Sequence, residues 1–276
     1  MSSEPLVLVR QVDTDTHVYE VVLNRPRKKN ALSAALLEGI EVAFTTPPLT
    51  TLARCVVLTG AGSDFCSGID LQTLAELAGN QRDDTARTAI ELLHSITRMQ
   101  RVVTAIETLR VPVVAAIQKG CIGAGLDIAS AADVRYCSAD AVFSIKEVAV
   151  GIAADLGVLQ RLPPAVASSS AVREWAYTGR NITSQEALQW GLVSRVEATA
   201  EACRAAALAL ARVIASRSPV AVLGTKEALI SERRYLNEQG LRNMAWMNGA
   251  LLQSTDVLAA ISGAGKQGQT PVFSKL

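Results

Sequence analysis

Histidine is nearly absent from this 276-residue chain: His17 and His94 are its only two. Their scarcity argues against a histidine-rich metal site and against a triad with histidine as base. Net charge is equally scarce. Lys and Arg total 27 and Asp and Glu 26, leaving +1, so no global field attracts nucleic acid or an anionic membrane. No apolar run reaches membrane-spanning length: the most hydrophobic stretch, Val111 to Ala132, is broken by Lys119 and Asp127. Met1-Ser-Ser-Glu-Pro-Leu-Val has neither the basic region and apolar block of a secretory signal nor the arginines of a transit peptide. The cysteines, Cys55, Cys66, Cys121, Cys137 and Cys203, are odd in number and form no C-x-x-C pair. They read as reduced thiols of an intracellular protein.

What is present is apolar sequence, 49% of the residues, enough for a sizeable core and too much for disorder throughout. Apolar runs at Leu6–Val9, Val18–Leu23, Cys55–Thr59, Val111–Ile117, Val134–Tyr136, Ala141–Ser144 and Val193–Val196 predict strands. Helical spacing predicts helices over Ala31–Phe44, Asp70–Leu77, Thr85–Leu109, Leu126–Ala132 and Asp155–Leu162, the last ended by Pro163-Pro164. Thr183-Ser-Gln-Glu186 is a capping-box pattern before a helix to Trp190. Beyond about Ala198 the pattern turns all-helical: Ala200–Ser216, Pro219–Gln239 and Met244–Ser262. The chain therefore divides into an α/β core, 1–197, and a helical region, 198–276.

Two glycine-rich turns, one around Ser67-Gly-Ile69 and one at Gly123-Ala-Gly125, match neither nucleotide fingerprint: Ile128 stands where the dinucleotide motif needs a third glycine. Such turns are either simple tight turns or, where they open helices, places at which two backbone N–H groups aim at one carbonyl oxygen. Three acids, Asp127, Glu147 and Asp155, are embedded in apolar sequence. Asp127 and Asp155 read equally as helix caps, and Glu147 as a partner of Lys146. Alternatively, carboxylates in apolar surroundings have raised pKa values and suit proton shuttling. The polar loop Asn24–Asn30 carries Arg25, Arg27, Lys28 and Lys29, which read by themselves as a solvated charged surface. Ser274-Lys275-Leu276 reads as the tripeptide address recognised by the peroxisomal import receptor.

Ser67-Gly-Ile-Asp-Leu71, Ala115-Ala-Ile-Gln-Lys-Gly-Cys-Ile-Gly-Ala-Gly-Leu-Asp127 and Ala132-Asp-Val-Arg-Tyr136 together resemble the core signature of the crotonase (enoyl-CoA hydratase/isomerase) family. Asn24-Arg-Pro-Arg-Lys-Lys-Asn-Ala-Leu32, Gln185-Glu-Ala-Leu-Gln-Trp-Gly-Leu-Val193 and Ser218-Pro-Val-Ala221 extend the resemblance over nearly the whole chain. It implies an α/β fold with a ββα spiral core and a helical C-terminal region, in homo-oligomers that are trimers or hexamers. The two glutamates of the family's hydratases fall here on Asp127 and Glu147, and Asp155 stands where those hydratases usually have glycine. This Asp–Glu–Asp set is similar to that of the family's dienoyl-CoA isomerases.

The resemblance further implies an acyl-CoA thioester as substrate, a shift of a 3,5-diene to a 2,4-diene in the β-oxidation of unsaturated fatty acids, and no cofactor beyond the CoA carried by the substrate. Asp127, Glu147 and Asp155 become the expected catalytic acids. Ser67, Gly68, Ile69, Asp70, Leu71 and Ala124 become the expected carbonyl-binding segment, with the N–H groups of Ile69 and Ala124 as its donors. Alanine at 124 departs from the family's usual glycine but keeps the N–H. Arg27 falls on the family's usual lysine position for CoA phosphate. A hydratase, and a non-catalytic RNA-associated protein on the same fold, are the alternatives.

Overall fold

The computed structural model describes residues 4–79, 84–257 and 260. Strand β1 (Val7–Asp13) forms an antiparallel hairpin with β2 (Val18–Leu23), Val7 lying opposite Leu23. β3 (Cys55–Gly60), β4 (Val113–Ile117), β6 (Val134–Ser138) and β9 (Arg195–Glu197) add in parallel, giving a six-stranded sheet ordered β1-β2-β3-β4-β6-β9. The residues of β2, β3 and β4 are all buried, as continuous apolar runs in a parallel sheet require.

Alternation along these strands divides the core. Tyr19, Val21, Leu23, Val56, Leu58, Val113, Ala115 and Ile117 join the main cluster, which receives α1 (Ala34–Thr45) and α3 (Thr85–Thr108) through Leu36, Ile40, Val103 and Ile106. Val18, Cys55, Val57, Val114 and Ala116 point the other way, onto Cys203, Ala207, Leu208 and Ala211 of α8 (Ala200–Ala215). Each large apolar side chain so covered contributes ~1.5–3 kcal/mol. Glu20 faces α8 too, almost fully buried, and Arg204 grips it with two hydrogen bonds. The helical region is thus packed onto the sheet, and all five cysteines are buried free thiols.

A second sheet carries the site. It comprises β5 (Gly120–Ile122), β7 (Val142–Ser144) and β8 (Ile182–Thr183), β5 running parallel to β7. The chain therefore runs as a short strand from Gly120 and bends only at Gly123, which opens α4 (Ala124–Ser130).

Four helices differ from the pattern-based expectation. α5 (Val158–Ala165) starts after Gly157 rather than at Asp155 and includes both prolines, whose missing N–H groups fall in its last turn. α6 (Ser169–Thr178) was not expected, although Ser168 caps the Ala171 N–H and Val172, Trp175 and Ala176 bury one face. α7 (Ser184–Gln189) has its Thr183 cap, but the Glu186 carboxylate turns to Arg180 and the Trp175 indole instead of closing a capping box. The break expected after Gln239 is absent: α9 (Pro219–Leu251) is continuous. Gly240 costs a helix ~1 kcal/mol relative to alanine. It is required because a Cβ there would stand 2.7 Å from Gln160 Cγ of α5.

Candidate active site

β3 ends at Gly60, and the following loop doubles back to α2 (Leu71–Gly79). Asn30, fully buried at a positive φ of 55°, fixes that loop by donating to the carbonyls of Ala61, Asp64 and Phe65 while accepting from the Arg25 N–H. The backbones of Cys66 and Cys121 pair as a parallel β-bridge, with Cys66 N–H to Gly120 O at 2.9 Å and Ile122 N–H to Cys66 O at 3.0 Å. The bridge brings the two glycine turns side by side. A Cβ on Gly68 would stand 2.9 Å from Ile122 O and 3.7 Å from the Ala124 nitrogen, and φ of +96° at Gly68 suits glycine.

Beyond the bridge the backbone leaves donors free at both turns. Asp70 N–H bonds to Leu32 O and Leu126 N–H to Gly123 O, but among the described residues the Ile69 and Ala124 N–H groups donate to nothing. Gly123 takes a φ of 52° and ψ of −124°, while Ala124 is the first residue of α4 and needs no positive φ. Alanine is therefore accommodated at 124, and the unusual dihedrals fall on glycine.

The three acids converge behind these donors. Asp127, 1% exposed on α4, accepts from the Val158 N–H at 2.6 Å through Oδ1, and its Oδ2 is buried without a partner among the described residues. It does cap a helix, but that helix is α5 and not its own. Glu147 opens a 3-10 turn (Glu147–Val150) and leaves Oε2 buried and, among the described residues, unpartnered; Lys146 turns away to Gly179 O. Asp155 caps nothing either, since Gly157 precedes α5, and its Oδ2 accepts from Asn248 Nδ2 of α9 at 2.6 Å. Burial pushes all three carboxyls up. Asp127 rises to about 7, against the Val158 hydrogen bond; Asp155 rises to about 6, against the Asn248 hydrogen bond; Glu147 rises well above the usual carboxylate range, with Asp127 adding to the effect of burial.

Glu147 and Asp155 line one narrow cavity of about 40 Å³ together with Ile69, Ala124 and the apolar side chains of Leu74, Ile96, Ile152 and Leu252. Asp127 is not among its lining residues. A cleft of about 470 Å³ between α1, α2 and α3 meets this cavity at Leu77 and Met99 but holds none of the three acids. Two free N–H groups and two protonatable carboxyls around an apolar slot can polarise a carbonyl and move a proton beside it.

The model of the enoyl-CoA hydratase/isomerase family matches residues 13–262. The chain belongs to this family. Its relatives include the mitochondrial Δ(3,5)-Δ(2,4)-dienoyl-CoA isomerase of Mus musculus, 43% identical over 97% of this chain and 83% of that one. The peroxisomal Δ(3,5)-Δ(2,4)-dienoyl-CoA isomerase of Arabidopsis thaliana is 40% identical over 100% of this chain and 99% of its own. Among solved structures, an enoyl-CoA hydratase/isomerase from Mycobacterium paratuberculosis superimposes with a TM-score of 0.82 at 26% identity, covering 95% of this chain and 99% of that one.

In this member of the family the remaining candidates separate by environment. Ser67 holds the loop, its N–H donating to Lys29 O. Asp70 is ion-paired with Arg25, which also reaches Ala31 O; that pairing keeps the Asp70 carboxyl below the usual range. Leu71 begins α2 with an exposed side chain. Arg27, Lys28 and Lys29 are exposed around a 3-10 turn (Pro26–Lys28), so the basic loop sorts into one inward staple, Arg25, and three outward cations. Sequence reasoning missed Asn30, Gln100 and Asn248. Gln100 of α3 ties the Asp155 carbonyl to Leu241 O, joining the acid's loop to two helices. The S-K-L motif lies outside the described residues.

Proposed function

We propose that the protein converts 3,5-dienoyl-CoA thioesters to 2,4-dienoyl-CoA by moving a proton from C2 to C6. The thioester oxygen accepts the Ile69 and Ala124 N–H groups. Polarised in this way, the carbonyl lets one carboxylate remove a C2 proton, and the negative charge spreads over oxygen, C2, C4 and C6. A proton delivered to C6 by the second acid restores the thioester, with its double bonds now at C2 and C4. Glu147 and Asp155 form the pair and Asp127 is the supporting acid. No oxidation occurs, and the N–H groups carry the developing charge, so the chemistry draws on no cofactor beyond the substrate's CoA.

The observation that carries this reading is the pairing of Glu147 and Asp155 on one apolar cavity with two free N–H groups. A hydratase uses two carboxylates and a water; a third buried acid favours proton transfer over a longer span. Arg27 is assigned to the CoA phosphates. Region 198–276 is assigned to self-association as trimer or hexamer, supported by exposed Leu229, Tyr235, Leu236 and Trp246 on α9, each more than half exposed. Region 1–197 carries the acids and the carbonyl-binding loops. The S-K-L motif and the peroxisomal relative support delivery to the peroxisome matrix.

The test is incubation with 3,5-dienoyl-CoA and, separately, 2-enoyl-CoA. Growth of conjugated 2,4-dienoyl absorbance from the first supports the proposal. Hydration of the second with no dienoyl product overturns it.

A further inference from the structure

Resting on that reading, the structure gives a reason for the division of labour within the acid pair. Asn248 lies in the last turn of α9, fully buried, 93 positions from Asp155 in sequence. Its amide donates to Asp155 Oδ2 at 2.6 Å and to Ala153 O at 2.8 Å. Both neighbours are acceptors, so the amide NH₂ must face them, which leaves its Oδ1 buried and without a partner among the described residues. An orphaned buried acceptor is costly, and a leucine of similar shape would avoid that cost. The cost is retained for one return: a donor aimed at Asp155.

Among the described residues no side chain donates to Glu147; only its own and the Lys146 backbone N–H groups draw its carboxyl down, against burial and Asp127. Its Oε2 is buried and unpartnered among the described residues, and its Oε1 lies against the Gly123 turn. We propose that Asn248 is the positioning residue that assigns roles in the pair: it holds Asp155 as the proton-accepting carboxylate and leaves Glu147 as the proton donor. The electrostatics agree. Both acids are raised by burial, but Asn248 pulls Asp155 back to about 6, whereas Asp127 drives Glu147 further up. The titratable neighbours are Glu147 on its 3-10 turn and Asp127 on α4; Arg161 of α5 lowers Asp127. α3 presents the neutral Gln100 to the Asp155 backbone, and α9 the neutral Asn248.

The pH profile of kcat/KM on 3,5-dienoyl-CoA reads the assignment in the oligomeric protein. A hydrogen bond to the ionised form lowers a carboxyl pKa, so Asn248→Leu should move the acid limb up by about one to two pH units. The alkaline limb, set by Glu147, should stay in place, and kcat at low pH should fall more than KM changes. A folded, active Asn248→Leu protein whose acid limb overlays the wild type overturns the inference. Carboxyl infrared difference spectra provide a second measurement that needs neither substrate nor Asn248 variants. With the third buried band, that of Asp127, identified by its loss in Asp127→Asn, the lower-titrating of the other two should vanish in Asp155→Asn and the higher in Glu147→Gln; the reverse order overturns the inference. Failure of the wild type to isomerise 3,5-dienoyl-CoA would refute the underlying function instead, and the infrared order of ionisation would still be read.

Discussion

Gly123→Ala is the most discriminating small change this site offers. Gly123 holds a φ of 52° with ψ of −124°, outside the regions open to alanine, and a Cβ there would stand 3.1 Å from Glu147 Oε1. Forcing an L residue into such a conformation costs ~1–3 kcal/mol. For a chain of this size that lowers the melting temperature by roughly 2–12 °C. Activity should fall much further. Relief of the strain rotates the peptide that carries the Ala124 N–H, and the new methyl shifts the Glu147 carboxyl. Loss of one such donor typically reduces kcat ~10²–10³-fold. Dienoyl absorbance at saturating substrate measures kcat, and a thermal melt of the same preparation measures the fold. Gly224→Ala is the control: Gly224 is an exposed position of α9 where a Cβ meets nothing within 4 Å, and its kcat should match the wild type. A folded Gly123→Ala protein with kcat within about threefold of wild type would refute the coupling of this turn to catalysis, since a lost donor costs ~10² or more.

Glu147→Gln and Asp155→Asn should each reduce isomerisation ~10²–10⁴-fold with CoA-ester affinity retained, measured by steady-state kinetics and calorimetric titration. Asp127→Asn should cost less kcat than either; a larger loss would return the roles to an Asp127/Glu147 pair. That variant also carries a stability signature. The folded Asp127 carboxyl is raised to about 7 from 3.8, so its contribution is fully present below pH 3.8 and is lost as pH rises through 7. The carbonyl oxygen of the substituted amide can keep the Val158 hydrogen bond, so Asp127→Asn should melt a few degrees above wild type at pH 8, with the gain fading towards pH 4. Removal of Ser274-Lys275-Leu276 from a protein fluorescently tagged at its N-terminus should shift it from peroxisomes to cytosol with kcat unchanged, as imaging and assay of the same fusion would report.

Most of the architecture was legible because β2, β3 and β4 are apolar throughout, a signal that survives without tertiary context. The acids were legible as charges in apolar sequence, but what each one holds shows only in partners: Asp127 caps α5 at Val158, Lys146 turns to Gly179, and Asp155 takes Asn248. Asn30 and Asn248 gave no signal, since a polar amide in a loop or helix has no periodicity to violate. Their meaning comes from what they touch 31 to 95 residues away. Gly240 misled for the same reason. A glycine between two helical patterns reads as a break, and only Gln160 across the α5 contact explains why the helix continues through it.

The buried cysteines give the molecule an internal clock. Burial pushes Cys55, Cys66 and Cys137 up to about 12 and Cys203 up to about 11, with Cys121 also raised well above its ordinary value, so at neutral pH the folded chain presents almost no thiolate to an alkylating reagent. Each sulfur reacts only when its surroundings open, and the reaction is irreversible. Peptide-resolved labelling therefore times separate openings. Cys203 reports α8 lifting from the sheet, Cys55 and Cys137 the parting of β3 and β6 from their neighbours, and Cys66 with Cys121 the separation of the two turns that bear the Ile69 and Ala124 N–H groups. A thioester seated between those turns should slow the last pair selectively, so sulfur chemistry far from any catalytic role becomes a direct readout of occupancy.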